Sequence, residues 1–169
     1  MSKKKLIKRL GWYYPTERFH TYVFFPLIII YLIYYYGFKN TIFINSGLIL
    51  CIYLLYQGQL YLGIKYRKLI GEEIDEVNYF NKFKKWRKSN LYLLFTIFIS
   101  LPLHLHLNDY KLNSFLYWGV FTHLFYVLEH INYYKTQLMY DNKNDFKYLY
   151  INKKLKKSSL LKDIDEGKF

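Results

Sequence analysis

Four apolar segments, each long enough to cross a lipid bilayer, constrain this sequence more than any other feature. A helix needs roughly 17–25 residues to cross the hydrocarbon core, and each segment reaches that length. Turns of three and five residues join the first segment to the second and the third to the fourth, so each pair forms an antiparallel hairpin. The sequence therefore predicts an all-α integral membrane protein, a four-transmembrane-helix bundle of two antiparallel helical hairpins, with spans at about 19–37, 41–64, 90–107 and 113–134.

Polar segments lie before, within and after this transmembrane domain of residues 19–134. Residues 1–18 form a basic arm in which aromatic residues adjoin lysines and arginines. Such mixtures are typical of the membrane interface, so we expect the arm to lie along the inner membrane surface. Residues 65–89 form a central loop, and residues 135–169 form a basic tail.

Positively charged residues are distributed very unevenly over these segments. The arm carries six Lys and Arg residues, the central loop eight and the tail nine, whereas the two short turns carry one each, Lys39 and Lys111. Segments rich in Lys and Arg remain on the cytoplasmic side of a membrane. We therefore predict a multi-pass protein of the cell membrane, expected to be a bacterial inner membrane, with both termini and the central loop in the cytoplasm.

The central loop contains an amphipathic cytoplasmic helix, because its charges and its apolar residues are both ordered. Acidic residues come first and basic residues last, which complements the helix dipole. Its apolar residues recur every third position and form one stripe, made of Ile74, Val77, Phe80, Phe83 and Trp86. This stripe would pack either on the membrane or against the C-terminal tail, and the sequence leaves both alternatives open.

The net charge of +13 points to an acidic partner. In a soluble protein a nucleic acid would be the first candidate, but here the charge adjoins membrane spans, where anionic headgroups attract it. We therefore expect membrane lipids with anionic headgroups, or a protein partner on the cytoplasmic face, rather than nucleic acid. The predicted headgroup- or partner-binding residues are Lys82, Lys84, Lys85, Arg87, Lys88, Lys153, Lys154, Lys156 and Lys157.

Polar residues within the spans are costly to bury and are therefore candidates for function. With a rise of about 1.5 Å per residue, several of them lie at one depth near the inner face. They form a predicted inner-leaflet polar cluster, made of His20, Gln57, Gln59, Glu129, His130 and Asn132. Two interpretations remain open: a pocket that binds a proton, a cation or a headgroup, and a set of side chains that simply meet water at the interface.

The remaining histidines lie at other depths. His123 is near the midplane, where we expect it to hydrogen-bond to Thr96, to Ser100 or to a tyrosine hydroxyl of a neighbouring helix. His106 lies near the outer surface and His130 near the inner one, so they cannot ligate one ion. Cys51 is the single cysteine. We predict no metal site and no cofactor, since the sequence also carries no nucleotide-binding or hydrolase motif.

These features favour a non-enzymatic membrane component that binds a cytoplasmic partner or anionic lipid through its basic loop and tail. One alternative is a small transporter or channel subunit, which would form a homo-oligomer and line its path with Pro26, His123 and Glu129. Another is a membrane enzyme acting on lipid at the inner interface, with Glu129 or His130 as a base. The sequence resembles no family that would select among these hypotheses.

Overall fold

Helices make up nearly all of the computed structural model, which describes residues 3–140 and 143–168. In these ranges the only β-type pairing is an isolated bridge between Thr136 and Lys157. The elements, in chain order, are α1 (Lys3–Phe19), a π-helical stretch (His20–Phe24), α2 (Phe25–Tyr36), α3 (Phe38–Ile70), α4 (Glu76–Leu93), α5 (Thr96–Leu107), α6 (Ser114–Tyr134), α7 (Lys143–Asn152) and α8 (Ser159–Glu166).

Three helical stretches are long and apolar enough to cross a membrane: Lys3–Tyr36, Phe38–Ile70 and Glu76–Leu107. The prediction of an all-helical membrane protein is confirmed to this extent. The fourth predicted span corresponds to α6, which has 21 residues and is therefore about 31 Å long. It does not meet the same hydropathy criterion, so the described residues contain three candidate spans where the sequence predicts four.

The basic arm and the first predicted span form one continuous helix. The π-helical stretch ends two residues before Pro26, whose ring removes a backbone N–H, and the N–H of Phe25 bonds to the carbonyl of His20. A single wide turn of this kind accommodates a proline without breaking the helix. The helix ends at Gly37, where a φ of 78° reverses the chain within one residue. The predicted turn at 38–40 is therefore wrong, because α3 already begins at Phe38.

The first helix packs against α3 instead of lying along the membrane surface as expected. Leu10 is buried, and Tyr14 lies so close to Gly63 that a Cβ atom there would be 2.9 Å from the tyrosine ring. Small residues at such positions let two helices approach each other closely. Since α3 has 33 residues and is about 50 Å long, it is longer than a hydrocarbon core of about 30 Å, and its final turns pack against α1.

The central helix of the fold is α3, and its closest partner is α6. A Cβ atom at Gly47 would lie 2.2 Å from Thr122 Oγ1, and one at Gly58 would lie 2.2 Å from the Tyr133 hydroxyl. The two contacts are eleven residues apart on both helices, so α3 and α6 run parallel in a constant register. We call this contact, at Gly47 and Gly58 of α3, the α3–α6 seam. Side chains of α6 pack there directly on the backbone of α3, which is typical of membrane helices.

The stretch from α4 to α5 runs antiparallel to α3 over its whole length. Near one end, Asn108 Nδ2 donates to the carbonyl oxygen of Lys39 at 3.3 Å. At the other end, Lys68 forms an ion pair with Glu76 at 2.5 Å. The predicted boundary between the amphipathic helix and the third span, at residues 89–90, is absent because α4 continues through it to Leu93.

The apolar stripe of α4 packs inside the protein. Phe80 and Phe83 are buried in the same core as Leu160 and Ile164 of α8, whereas Val77 is 70% exposed. Of the two alternatives left open by the sequence, the structure therefore has the stripe against α3 and the C-terminal tail.

The tail folds back under the bundle. Ser158 caps α8 and its hydroxyl donates to the carbonyl oxygen of Tyr133 at 2.7 Å. Asp163 accepts a hydrogen bond from Tyr61 at 2.6 Å and forms an ion pair with Lys65 at 2.7 Å. The tail thus supplies part of the core at the same end of the molecule as α1.

The close packing at the α3–α6 seam predicts that alanine destabilises the protein at one glycine and not at another. We expect Gly58→Ala to lower the free energy of unfolding by about 1–3 kcal/mol, because its methyl group must displace Tyr133. Gly11→Ala is the matched control, since the nearest atom to its Cβ would be 3.8 Å away in Tyr66. Thermal unfolding in detergent micelles measures both variants. A Gly58→Ala protein as stable as the Gly11→Ala protein would contradict the described packing.

Candidate functional site

The predicted inner-leaflet polar cluster is divided among three separate environments. Gln57 and Gln59 are two residues apart on α3, so their side chains point about 200° away from each other. Gln57 faces α4 and α6, whereas Gln59 faces the first helix. Equal depth in the membrane therefore does not bring the six residues together.

Gln57 forms the first environment, a buried amide pair with Asn90 of α4. Gln57 Nε2 donates to Asn90 Oδ1 at 3.0 Å, and Asn90 Nδ2 donates to Gln57 Oε1 at 2.8 Å. Tyr134 of α6 also donates to Gln57 Oε1, at 2.6 Å, and Tyr126 donates to the Asn90 carbonyl at 3.0 Å. Because both amides are completely buried and bonded to each other, this network joins three helices and leaves no opening for a ligand.

Gln59 and His20 lie on the side of the first helix. Gln59 Nε2 donates to the Tyr22 hydroxyl at 2.8 Å. His20 Nδ1 is 2.8 Å from the Thr16 carbonyl of its own helix, and within the described residues His20 forms no hydrogen bond or ion pair with Gln59 or Glu129. The hypothesis of one cluster containing all six residues is therefore wrong for His20 and Gln59.

Glu129 and Asn132 form a third environment, together with Glu17, which the sequence analysis missed. Asn132 Nδ2 donates to Glu129 Oε2 at 3.3 Å. Tyr133 donates to Glu17 Oε1 at 3.4 Å, while Glu17 Oε2 is buried without a hydrogen-bond partner among the described residues. Glu17 was assigned to the arm outside the spans. The spacing of Leu6, Leu10, Tyr13 and Glu17, which is typical of one helix face, could have indicated its inward position.

A cavity of about 510 Å³ adjoins this third environment. It lies between α1, the inner end of α3 and the tail, and Glu17, Asn132 and Tyr133 are among its lining residues. Its basic residues include Lys65 and Lys156, each of which forms an ion pair, with Asp163 and Asp145 respectively. The charges in its wall are thus largely balanced within the protein.

His130 does not act together with Glu129. Its ring stacks on Tyr134 with centroids 5.3 Å apart, and its Nδ1 has no hydrogen-bond partner in the described part of the chain. Glu129 instead contacts Asn132, one helical turn further along the same face. The two side chains therefore have different surroundings although they are adjacent in sequence.

His104 and His123 both lie next to Phe43. The His123 ring stacks on Phe43 at 4.5 Å, and the His104 ring centroid is 6.1 Å from that of Phe43. His123 Nε2 is 3.4 Å from Ser46 Oγ, so its neighbouring-helix partner is on α3 and is neither Thr96 nor Ser100. Within residues 3–140 and 143–168, no three His, Cys, Asp or Glu side chains converge in a way that could hold a metal ion.

The nine predicted headgroup- or partner-binding residues lie on the surface with one exception. Lys156 is partly buried and bonds to Asp145 at 3.3 Å, while Lys157 forms an ion pair with Asp165. On α4 all five basic residues are exposed, and the Lys82 ammonium lies 4.8 Å from the centre of the Trp86 ring. We call these five residues the α4 basic surface: Lys82, Lys84, Lys85, Arg87 and Lys88.

Comparison with protein-family models, with curated proteins and with solved structures finds no match for this chain. The class of protein therefore follows from the fold alone. Helical structure and three helices able to cross a bilayer indicate an α-helical membrane protein.

The buried amide pair predicts a non-additive effect of substitution. We expect Gln57→Leu and Asn90→Leu each to lower the free energy of unfolding by about 1–3 kcal/mol, because each leaves the other amide buried and unpaired. The double variant should lose clearly less than the sum of the two. Gln59→Leu combined with Asn90→Leu is the control and should be additive, since these residues do not touch. Additive losses in both combinations, measured by thermal unfolding in micelles, would contradict the pairing.

Proposed function

We propose that this chain is a four-span membrane protein with both ends in the cytoplasm, whose basic inner end binds anionic phospholipid headgroups. The observation that carries the proposal is the α4 basic surface. Its five residues are exposed, and they lie directly below the level at which Asn90 pairs with Gln57.

Two properties of α6 support a fourth span. It lies parallel to α3 in constant register along the seam, and its length of about 31 Å matches a hydrocarbon core of about 30 Å. Its outward face carries exposed apolar residues at helical spacing: Tyr117, Phe121, Leu124 and Leu128. In water such a stripe would be costly, whereas lipid tails would cover it.

The orientation is supported by the unequal distribution of positive charge and by the packing of the chain ends. Gly11 of α1 approaches Tyr66, and Asp163 of α8 bonds to Tyr61, so both ends meet the same end of α3. The short turns at the other end carry one lysine each. Placing the basic end in the cytoplasm agrees with the charge rule for membrane proteins.

The depth of the α4 basic surface favours lipid as its ligand. Lys84 and Lys88 lie within six residues of Asn90, which is about 9 Å along the helix. Gln57, the partner of Asn90, is seven residues before the predicted end of its span. The span end is therefore about 10 Å below the amide pair, close to the level of Lys84, while Lys88 is attached about 7–8 Å above it. The long side chains of exposed lysines near a helix end reach toward the interface, where each cation contributes about 1 kcal/mol of attraction to an anionic surface.

The bundle has polar side chains at two heights, at Ser46 with His123 and at Gln57, and the side chains between these heights favour lipid binding over conduction. Ser46, beside His123, and Gln57 are eleven residues apart on α3, which corresponds to about 16 Å. Leu50, Cys51 and Leu54 are buried in this interval. An apolar layer of that thickness separates the polar groups that a path through one chain would have to connect.

Lipid retention tests the proposal. We expect Lys84→Gln/Lys85→Gln/Lys88→Gln to lower the ratio of phosphatidylglycerol to phosphatidylethanolamine that copurifies with the protein by at least about fivefold, because three headgroup-level cations are lost. Native mass spectrometry in a mild detergent measures the ratio.

The matched control removes three charges that lie far from the bilayer. Lys3→Gln/Lys4→Gln/Lys5→Gln changes exposed residues at the start of α1, which lie about 14–17 Å along the helix below Tyr14. An equal loss of phosphatidylglycerol in both variants, or no loss in either, would refute the assignment to the α4 basic surface. A stoichiometric protein partner lost only from the α4 variant would replace lipid as the ligand.

A further inference from the structure

A second groove, on the seam between the first helix and α3, contains two arginines. It has a volume of about 380 Å³, and Arg18 and Arg67 both line it. Its other lining residues are uncharged, and include Tyr14, Tyr22 and Gln59. Neither arginine belonged to the predicted site, because both were counted only as part of the general basic character of their segments.

Helical spacing builds the two walls of this groove. Tyr14, Arg18 and Tyr22 follow one another at intervals of four residues and form one face of the first helix. Gly63 and Arg67 are also four apart and form the facing stripe of α3. Because Gly63 has no side chain, Tyr14 packs directly on the α3 backbone. The floor of the groove is therefore the close contact of two helices.

Each guanidinium group has one contact with a tyrosine that limits its movement. The Arg18 guanidinium lies 5.7 Å from the centre of the Tyr14 ring, a cation–π distance. Arg67 Nη2 donates to the Tyr79 hydroxyl at 3.5 Å, which uses one of the five N–H donors of a guanidinium. Glu17, although next to Arg18 in sequence, bonds to Tyr133 on the other side of its helix.

These arginines differ from the neighbouring lysines in whether an acidic side chain forms an ion pair with them. Lys65 and Lys68 each form an ion pair, with Asp163 and Glu76 respectively. No carboxylate of the described residues forms an ion pair with Arg18 or Arg67. Two guanidinium groups facing one groove without an acidic partner create a site for an anion, and a phosphate group fits their planar, bidentate donors best.

The groove extends across the height of the headgroups. Gln59, at one end, and Arg67, at the other, are eight residues apart on α3, or about 12 Å. Tyr22 is 55% exposed at the upper end, and the apolar residues Phe25 and Pro26, three and four positions further along the same face, are partly exposed. An anion bound between the arginines would therefore have an apolar surface directly above it for acyl chains.

We propose that Arg18 and Arg67 bind the phosphate group of one anionic phospholipid, with its acyl chains along the first helix above Tyr22. The inference rests on the proposed function but differs from it in kind. The α4 basic surface attracts anionic headgroups collectively, whereas the arginine groove holds a single lipid in fixed stoichiometry. A soluble phosphate ester shares the same chemistry, and the experiment below separates the two sources.

The experiment titrates the full-length protein in detergent micelles with phosphatidylglycerol, with phosphatidylcholine and with inorganic phosphate, and counts bound molecules by native mass spectrometry. We expect one phosphatidylglycerol to bind the wild-type protein at the lowest concentrations. Arg18→Gln/Arg67→Gln should weaken that first binding event at least about tenfold, because each charged hydrogen-bond donor contributes substantially to affinity. Lys3→Gln/Lys4→Gln removes the same charge elsewhere and should bind as the wild type does.

A second variant keeps the site testable if the glutamine variant fails to fold. Arg18→Lys/Arg67→Lys preserves both charges and removes the planar fork, so we expect it to weaken the first binding event as well. Wild-type binding by this variant would reduce the groove to nonspecific charge and overturn the proposal. Binding of inorganic phosphate but not of phosphatidylglycerol at the arginines would overturn the assignment to lipid.

The two proposals fail in different ways. If Lys84→Gln/Lys85→Gln/Lys88→Gln leaves the overall lipid ratio unchanged while the arginine variants lose one bound lipid, the arginine groove stands and the α4 basic surface does not. If the arginine variants bind the first lipid as tightly as wild type while the lysine variant loses anionic lipid, the groove is refuted and the proposed function stands.

Discussion

The buried amide pair between Gln57 and Asn90 is the interaction on which the arrangement of the helices depends. An unpaired amide in a membrane interior costs several kcal/mol. Gln57 and Asn90 must therefore lie at the same height along the bundle to bond to each other. Tyr134 bonds to the same Gln57 oxygen, which fixes α6 at that height too. The pair thus sets the register of α3 against α4 and α6, while the glycines of α3 allow a short distance between the axes of α3 and α6.

That register determines what lies at the end of the bundle that carries the basic residues. Because α4 is continuous from Glu76 through Asn90, its basic residues are held on a helix that packs against the bundle. Because α1 and the final turns of α3 extend together, Arg18 and Arg67 face one groove. The tail covers the same end of the bundle through Asp163 and Leu160. A polar contact inside the bundle therefore controls a charged surface outside it.

The sequence predicts the helical class well and the groupings of side chains poorly. The apolar segments at 41–64 and 113–134 lie within or match α3 and α6, since apolar length is a property of each segment alone. Depth placed Gln57 and Gln59 together, but direction around the helix separates them, and depth cannot show direction. Glu17 bonds to Tyr133 of α6, and Arg18 lines a groove with Arg67 of α3. Helical spacing can indicate which face of the first helix is buried, but one sequence does not show which residues of other helices meet that face.

The most direct test of the account is the side of the membrane on which the turn between α5 and α6 lies. Cys51 is buried, so a cysteine introduced by Lys111→Cys or by Lys153→Cys can be labelled selectively in intact cells with a membrane-impermeant maleimide. The account predicts that Lys111→Cys reacts from outside and that Lys153→Cys reacts only after the membrane is permeabilised. Labelling of both from the same side would show that α6 does not cross the membrane and would contradict the four-span topology.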